Sequence, residues 1–393
     1  MRPEARIQTA GEIFALAFNQ NLPADRIITA EIKKRRYIGS SDRREITAMI
    51  WKAFRNIAKI SFSLKAKNLP LTAENIFTES MYHFADDDFP ESVKLECPEW
   101  LWDDLKAKSD DLKAMKNEAF TDLRVNITKT NCDIVTNMFA NEGIQANQCN
   151  FSPVGIRLLK RCNLQACTAY KTGLVEVQDE GSQIISLMIG AKPKDKIVDL
   201  CAGGGGKTLA MYDLSGKKAD ITACDIAYAR LKQLQTRAKR AGFTGINTHV
   251  LTNDYEPWLS LNAGTFDLVV IDAPCSGTGT WRRAPDAKWR LTKKQTDFYE
   301  QTQQEILTRG AKLVKKGGRL VYITCSLREA ENEKQFTDFL QKHDAFKPVL
   351  NLGNRFKELT GKDFAGYEGE GFLYLSPARL ATDGFFFAEA VYS

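Results

Sequence analysis

Three strand-like runs of this sequence end in residues able to do chemistry. Phe266-Asp-Leu-Val-Val-Ile-Asp-Ala-Pro-Cys-Ser-Gly-Thr-Gly279 ends in a carboxylate and a thiol, Asp272 and Cys275. Pro274 forces Ala273 into an extended conformation and stops the strand there. Leu320-Val-Tyr-Ile-Thr-Cys-Ser326 ends in a second thiol, Cys325. The third run, Lys196-Ile-Val-Asp-Leu200, leads into Cys201-Ala-Gly-Gly-Gly-Gly-Lys-Thr208, a glycine loop that opens a helix and lets the backbone approach a ligand closely. It is not an ATP loop, because G-x-x-x-x-G-K-[ST] requires glycine where Cys201 stands. Nor is it a dinucleotide loop, because G-x-G-x-x-G counted from Gly203 requires glycine at Thr208. Asp225 ends the next apolar strand, 19 residues past Gly206, where a carboxylate accepts hydrogen bonds from ribose hydroxyls. A ribose site without a phosphate cradle points to an adenosine cofactor without phosphates, S-adenosylmethionine.

These residues need a scaffold that brings strand ends together. From residue 179 onward, strands (196–201, 219–225, 247–251, 266–272, 319–325) alternate with helices (208–214, 227–241, 296–313), and a hairpin of 372–375 with 385–391 closes the chain. That alternation predicts an α/β fold with a Rossmann-like, doubly wound, mostly parallel sheet, whose ligand crevice lies outside the carboxyl ends of its strands. Residues 1–115 read as a helical domain, from the spacing of Ile7, Ile13, Phe14 and Phe18 and of Ile46, Ile50 and Phe54. Residues 116–178 read as a small α/β insert, with strands at 122–127 and 155–159 around a helix at 132–142.

The bulk composition narrows the class. The 393 residues, 43% hydrophobic and 26% charged, are those of a globular protein of two or three domains. A net charge of +6 permits a polyanionic partner without demanding one. Lys33–Arg36 and Arg43–Arg44 read as solvated faces, and the acidic stretch Asp86–Asp88 with Glu96 and Glu99 would repel a polyanion. No apolar run approaches the roughly 18–20 residues needed to span a bilayer, and the first residues do not read as a signal peptide. Nine scattered cysteines without a C-x-x-C pair, and three histidines, argue against zinc and for a reducing cytoplasm.

Together the glycine loop, D-A-P-C-S-G-T-G and T-C-S resemble the Nop/Sun (RsmB-like) family of S-adenosylmethionine-dependent RNA cytosine-5 methyltransferases, over about residues 120–393. The family's loop reads A-A-P-G-G-K-T; here Gly203 and Gly204 replace Ala-Pro, while Gly205-Gly206-Lys207-Thr208 is kept. Asp225, Arg230, Leu231, Leu234, Arg240 and Gly242 match the segment that follows, and Glu331-Asn-Glu333 matches the last motif. The resemblance implies a class I methyltransferase fold, with a cofactor site of Cys201, Ala202, Gly203, Gly204, Gly205, Gly206, Lys207, Asp225, Arg230, Asp254 and Asp272. Cys201 and Cys224 also read as core thiols. The resemblance makes Cys325 the nucleophile that adds to carbon 6 of cytosine, and Cys275 the residue that helps release the product. Asp272 is expected near ring N3 and the exocyclic amine, in a neutral form favoured by desolvation. Lys207 is expected to face either the cofactor carboxylate or the base.

Trp281-Arg-Arg-Ala-Pro-Asp-Ala-Lys-Trp-Arg290 mixes arginines with indoles, so Trp281, Arg282, Arg283 and Lys288 are candidates for RNA contact. The resemblance also implies RNA binding by the 116–178 insert, and an RNA-binding or NusB-like role for residues 1–115. Ribosomal RNA of the small subunit is the favoured substrate, with transfer RNA as the alternative. A monomer without a membrane partner or a metal is expected. Three other readings compete. A DNA cytosine-5 methyltransferase needs one thiol only, and an amino-group methyltransferase would carry Asn/Asp-Pro-Pro-aromatic in place of Asp272-Ala-Pro-Cys275. An inactive ribosome-assembly factor would have no need of intact Asp225, Asp272, Cys275 and Cys325.

Overall fold

The computed structural model describes residues 1–82, 84, 88–252 and 257–393. Asp86 and Asp87 of the acidic stretch, and Asn253 and Asp254, lie outside the described residues. The chain forms two compact units, Met1–Glu118 with Thr280–Gln295, and Ala119–Gly279 with Thr296–Ser393. No described helix is long and apolar enough to cross a membrane.

The first unit is helical, with helices Pro3–Asn19, Ala24–Lys34, Ser40–Arg55, Ile57–Ala66 and Ala73–Glu79. The helical spacing read from the sequence places Ile13, Phe14, Ile46, Ile50 and Phe54 in one core. Ile7 departs from it and is 45% exposed. At that level of the first helix the link to Ser40–Arg55 is polar, with Arg6 Nη1 donating to Glu45 Oε1 at 2.9 Å.

In the second unit, strands β1 (Thr121–Val125), β2 (Ala146–Gln148), β3 (Gly155–Leu158) and β4 (Val175–Val177) form an antiparallel sheet in the order β2-β3-β1-β4. The helix Cys132–Asn141 covers it through Val135 and Phe139. The larger sheet comprises β5 (Lys196–Asp199), β6 (Asp220–Asp225), β7 (Ile246–Val250), β8 (Phe266–Asp272), β9 (Val314–Thr324), β10 (Phe346–Pro348), β11 (Tyr367–Gly369), β12 (Phe372–Leu375) and β13 (Phe385–Tyr392). Its order is β11-β12-β13-β9-β8-β5-β6-β7, with β10 beside β13. Strands β5 to β9 pair in parallel, and β13 runs antiparallel to β9. This is the doubly wound sheet of the class I methyltransferase fold.

Alternation along the central strands feeds a core on each face. Ile197, Leu268, Val270, Val321 and Ile323 pack on one side with the helices Glu180–Ile189 and Gly206–Leu214. Val198, Val269, Ile271, Leu320 and Tyr322 pack on the other with Lys293–Ala311 and Glu333–Lys342. From β5 the chain first winds outward through β6 and β7, then returns to β8 and β9 on the other side. The crevice at this reversal lies over the carboxyl ends of β5 and β8. A buried ion pair ties the small sheet to the helix Gly206–Leu214, from Arg124 Nη1 on β1 to Asp213 Oδ2 at 2.9 Å.

Candidate active site

The glycine loop leaves β5 and turns into the helix Gly206–Leu214. Gly203 and Gly205 take φ of +54° and +84°, the left-handed region that favours glycine. At Gly205 a Cβ would also lie 2.4 Å from Leu234 Cγ, so no other residue fits. At Gly206 a Cβ would meet nothing within 4 Å, so the backbone is open to a ligand there. The first amides of the helix have no carbonyl partner within it, and suit an anionic group. Ala202 is committed elsewhere, its N–H donating to the Cys224 carbonyl at 2.9 Å.

Asp225 stands beside this loop at the end of β6. Its Oδ2 accepts from the Gly203 N–H at 2.9 Å and its Oδ1 from the Ala227 N–H at 2.8 Å. Arg230 is a looser neighbour, at 3.9 Å. A cleft of about 450 Å³ opens here, lined among others by Cys201, Asp225, Ile226, Arg230, Asp272 and Phe298. Its size, its apolar walls and the oriented carboxylate fit an adenosyl group, with Asp225 keeping acceptor capacity for ribose hydroxyls. The sequence reading missed one wall of the cleft, formed by Phe298, Gln301, Thr302, Glu305, Ile306 and Arg309. Their i, i+3, i+4 spacing on one helix was the available signal.

Asp272 ends β8 and faces Lys207 across the crevice, with Nζ to Oδ2 at 2.7 Å. The expectation of a neutral Asp272 presumed a desolvated carboxyl. Instead, 33% of its side chain is exposed and the remainder is tied to an ammonium. Lys207 is itself buried. Burial pushes its pKa down, but the charge and hydrogen bond of Asp272, with contributions from Cys325 and Asp199, hold it above the ordinary value. Burial also pushes Asp199 up to about 7, although Thr208 Oγ1 donates to it at 2.7 Å.

Cys275 and Cys325 meet at the ends of the adjacent strands β8 and β9, their sulfurs 3.5 Å apart. The hydrogen bond with Cys325, then desolvation, raises Cys275 well above the ordinary thiol value. Glu331 holds the two thiol loops together. Its Oε1 accepts from the Ser276 N–H at 2.9 Å, and its Oε2 from Ser326 Oγ at 2.5 Å and from Ser276 Oγ. The last motif had marked Glu331 without giving it a role. Cys201 lines the cleft and Cys224 is core, and burial raises Cys201 well above the ordinary thiol value.

The basic–aromatic segment is not the surface expected. Trp281, Arg282 and Lys288 are 2%, 5% and 6% exposed, and of the four candidates Arg283 alone is exposed. The segment packs within the helical unit. Arg55 Nη2 donates to the Arg282 carbonyl at 3.0 Å, Lys288 Nζ to the Glu96 carbonyl at 3.1 Å, and Trp289 Nε1 to the Phe54 carbonyl at 3.0 Å. Lys288 lies over the Trp281 and Trp289 rings at 5.6 and 5.5 Å, so this cation is engaged by the indoles beside it. Among the described residues, Asp122, Cys149 and Glu180 have metal-like spacing. Arg157 bridges the two carboxylates, at 2.7 and 2.9 Å.

A family model described as 16S rRNA methyltransferase RsmB/F matches residues 186–391. A second, for the ferredoxin-like domain of RsmF/B-like methyltransferases, matches 97–165 and so begins before the expected boundary at 116. A probable ribosomal RNA small subunit methyltransferase B of Bacillus subtilis is 33% identical over 266 residues, 67% of this chain and 58% of that protein. The protein of the same description from Synechocystis is 32% identical over 299 residues, 74% and 66% of the two chains. This chain thus spans less than two thirds of the length of either relative. The crystal structure of PH0851 superposes with a TM-score of 0.82 at 24% identity, over 100% of this chain and 99% of that one. That of NSun6 from Pyrococcus horikoshii with SFG gives 0.63 at 19% identity, over 75% and 97%. At these identities the likeness is one of fold.

Proposed function

The chain belongs to the RsmB/F methyltransferase family, and from that membership and the paired thiols we propose that it methylates carbon 5 of a cytosine in small-subunit ribosomal RNA. The observation that carries this reading is Cys275 and Cys325 at 3.5 Å, beside the Lys207–Asp272 pair and next to the cleft. S-adenosylmethionine, bound by the glycine loop and Asp225, supplies an electrophilic methyl group.

Carbon 5 of cytosine is a weak nucleophile, and addition of a thiolate to carbon 6 turns the ring into an enamine. Cys325 supplies that thiolate, with the Lys207 ammonium within electrostatic reach. Asp272 offers an acceptor to the exocyclic amine, and Lys207 a donor to the ring edge. Cys275 stays protonated while Cys325 is its hydrogen-bond partner. Bonding Cys325 to carbon 6 removes that partner, so Cys275 can release its proton to solvent and become a thiolate base. It then accepts the carbon-5 proton as the sulfur–carbon-6 bond breaks, restoring the aromatic ring and the Cys325 thiolate. Small-subunit RNA incubated with methyl-labelled S-adenosylmethionine and digested to nucleosides should yield labelled 5-methylcytidine. Label on the exocyclic nitrogen would refute the carbon-5 chemistry, and label in transfer RNA alone would refute the substrate.

A further inference from the structure

We propose that Arg237 is a positioning residue that orders the cofactor loop and ties it to the small sheet through Glu176. The proposal rests on reading the cleft as the cofactor site. Four consecutive glycines lose much conformational freedom when ordered, so something must hold them. Gly203 is held by Asp225, and Gly205 donates to the Ala202 carbonyl at 2.9 Å. Between them, the Gly204 carbonyl accepts from Arg237 Nη1 at 2.5 Å. Arg237 is aimed by its other edge, where Nε donates to Glu176 Oε2 at 3.0 Å. Glu176 lies in β4, is 5% exposed, and accepts from Arg240 Nη2 at 2.5 Å through its second oxygen. One planar guanidinium therefore spans from the small sheet to the loop, a geometry that a lysine ammonium cannot copy. Neither Arg237 nor Glu176 lines the cleft.

The test uses the full chain and two readouts: amide hydrogen exchange at residues 203–206 without ligand, and S-adenosylmethionine affinity by calorimetry. Arg237→Ala should speed loop exchange and weaken binding about ten-fold, the loss expected for one charge-assisted hydrogen bond. Arg237→Lys should not restore affinity, and Glu176→Gln should shift both readouts in the same direction. Gly204 lies outside the left-handed region, so Gly204→Ala in the Arg237→Ala background should recover part of the affinity by removing loop freedom. A purely structural role for Arg237 predicts no such recovery. Unchanged exchange and affinity in folded Arg237→Lys and Glu176→Gln would overturn the proposal. A wild-type protein that ignores S-adenosylmethionine, yet whose loop exchange responds to Arg237→Ala, would overturn the functional reading and leave the clamp standing.

Discussion

Glu331→Ala removes the carboxylate between the two thiol loops, and the structure sets the size of the effect. Glu331 is fully buried and accepts from the Ser276 N–H, from Gln303 Nε2 at 3.2 Å, and from the Ser276 and Ser326 hydroxyls. The hydroxyls can turn to each other, since their oxygens are 3.1 Å apart. The Gln303 amide keeps the Pro274 carbonyl, at 2.9 Å. The Ser276 N–H has no such substitute, and an unsatisfied buried donor costs about 1–3 kcal/mol. Losing the hydroxyl–carboxylate bonds and opening a cavity adds a similar amount, so Glu331→Ala should cost about 2–6 kcal/mol. Glu331→Gln keeps one acceptor for the Ser276 N–H and can donate to a hydroxyl, so about 1–2 kcal/mol is expected. Urea unfolding of the catalytic unit should rank wild type above Gln and Gln above Ala, with methyl transfer falling in the same order. A change below about 0.5 kcal/mol in Glu331→Ala, the range of an ordinary surface substitution, would refute the clamp.

Asp225→Ala should weaken S-adenosylmethionine binding by about 100-fold or more, because it removes the proposed ribose acceptor and the anchor of the Gly203 and Ala227 amides; calorimetry checks this. The raised pKa of Asp199 means that the folded state holds its proton more tightly than the unfolded chain does. The associated stability is present below the ordinary carboxylate range and is lost as pH rises towards about 7. Asp199→Asn should flatten the fall in unfolding free energy over that window relative to wild type, and parallel curves would refute the assignment.

The sequence carried the central sheet well, for a physical reason. Strands buried on both faces read as apolar runs, and the predicted limits of Phe266–Asp272 and Phe372–Leu375 coincide with β8 and β12. Strands of three residues, such as Ala146–Gln148 and Val175–Val177, are too short to show a period and went unread. In the candidate site, Asp225, Lys207 and Asp272 were legible because each ends a strand or follows a glycine turn, and Cys275 and Cys325 because they stand in D-A-P-C and T-C-S motifs just past strand ends. Asp254 lies outside the described residues. Arg282, Lys288 and Trp281 were misplaced because a buried cation–indole stack and an RNA-binding face have the same composition. The partners of Arg282 and Lys288, Arg55 and Glu96, lie 227 and 192 residues away and are invisible to any local reading. The role of Glu331, though not the residue, escaped for the same reason, its amide and hydroxyl partners on Ser276 lying 55 residues upstream.

The division of labour between the two thiols is the centre of the account, and a trapping experiment tests it most directly. Wild type, Cys275→Ala, Cys325→Ala and the double variant are each incubated with substrate RNA and S-adenosylmethionine, then run on a denaturing gel. Cys275→Ala should hold its RNA covalently, as a slow band that nuclease removes, because Cys325 can still attack carbon 6 while release stalls. Cys325→Ala and the double variant should show no band and no methyl transfer, with cofactor binding kept. A band from Cys325→Ala with none from Cys275→Ala would reverse the roles, and unchanged rates in both single variants would contradict covalent catalysis by either sulfur.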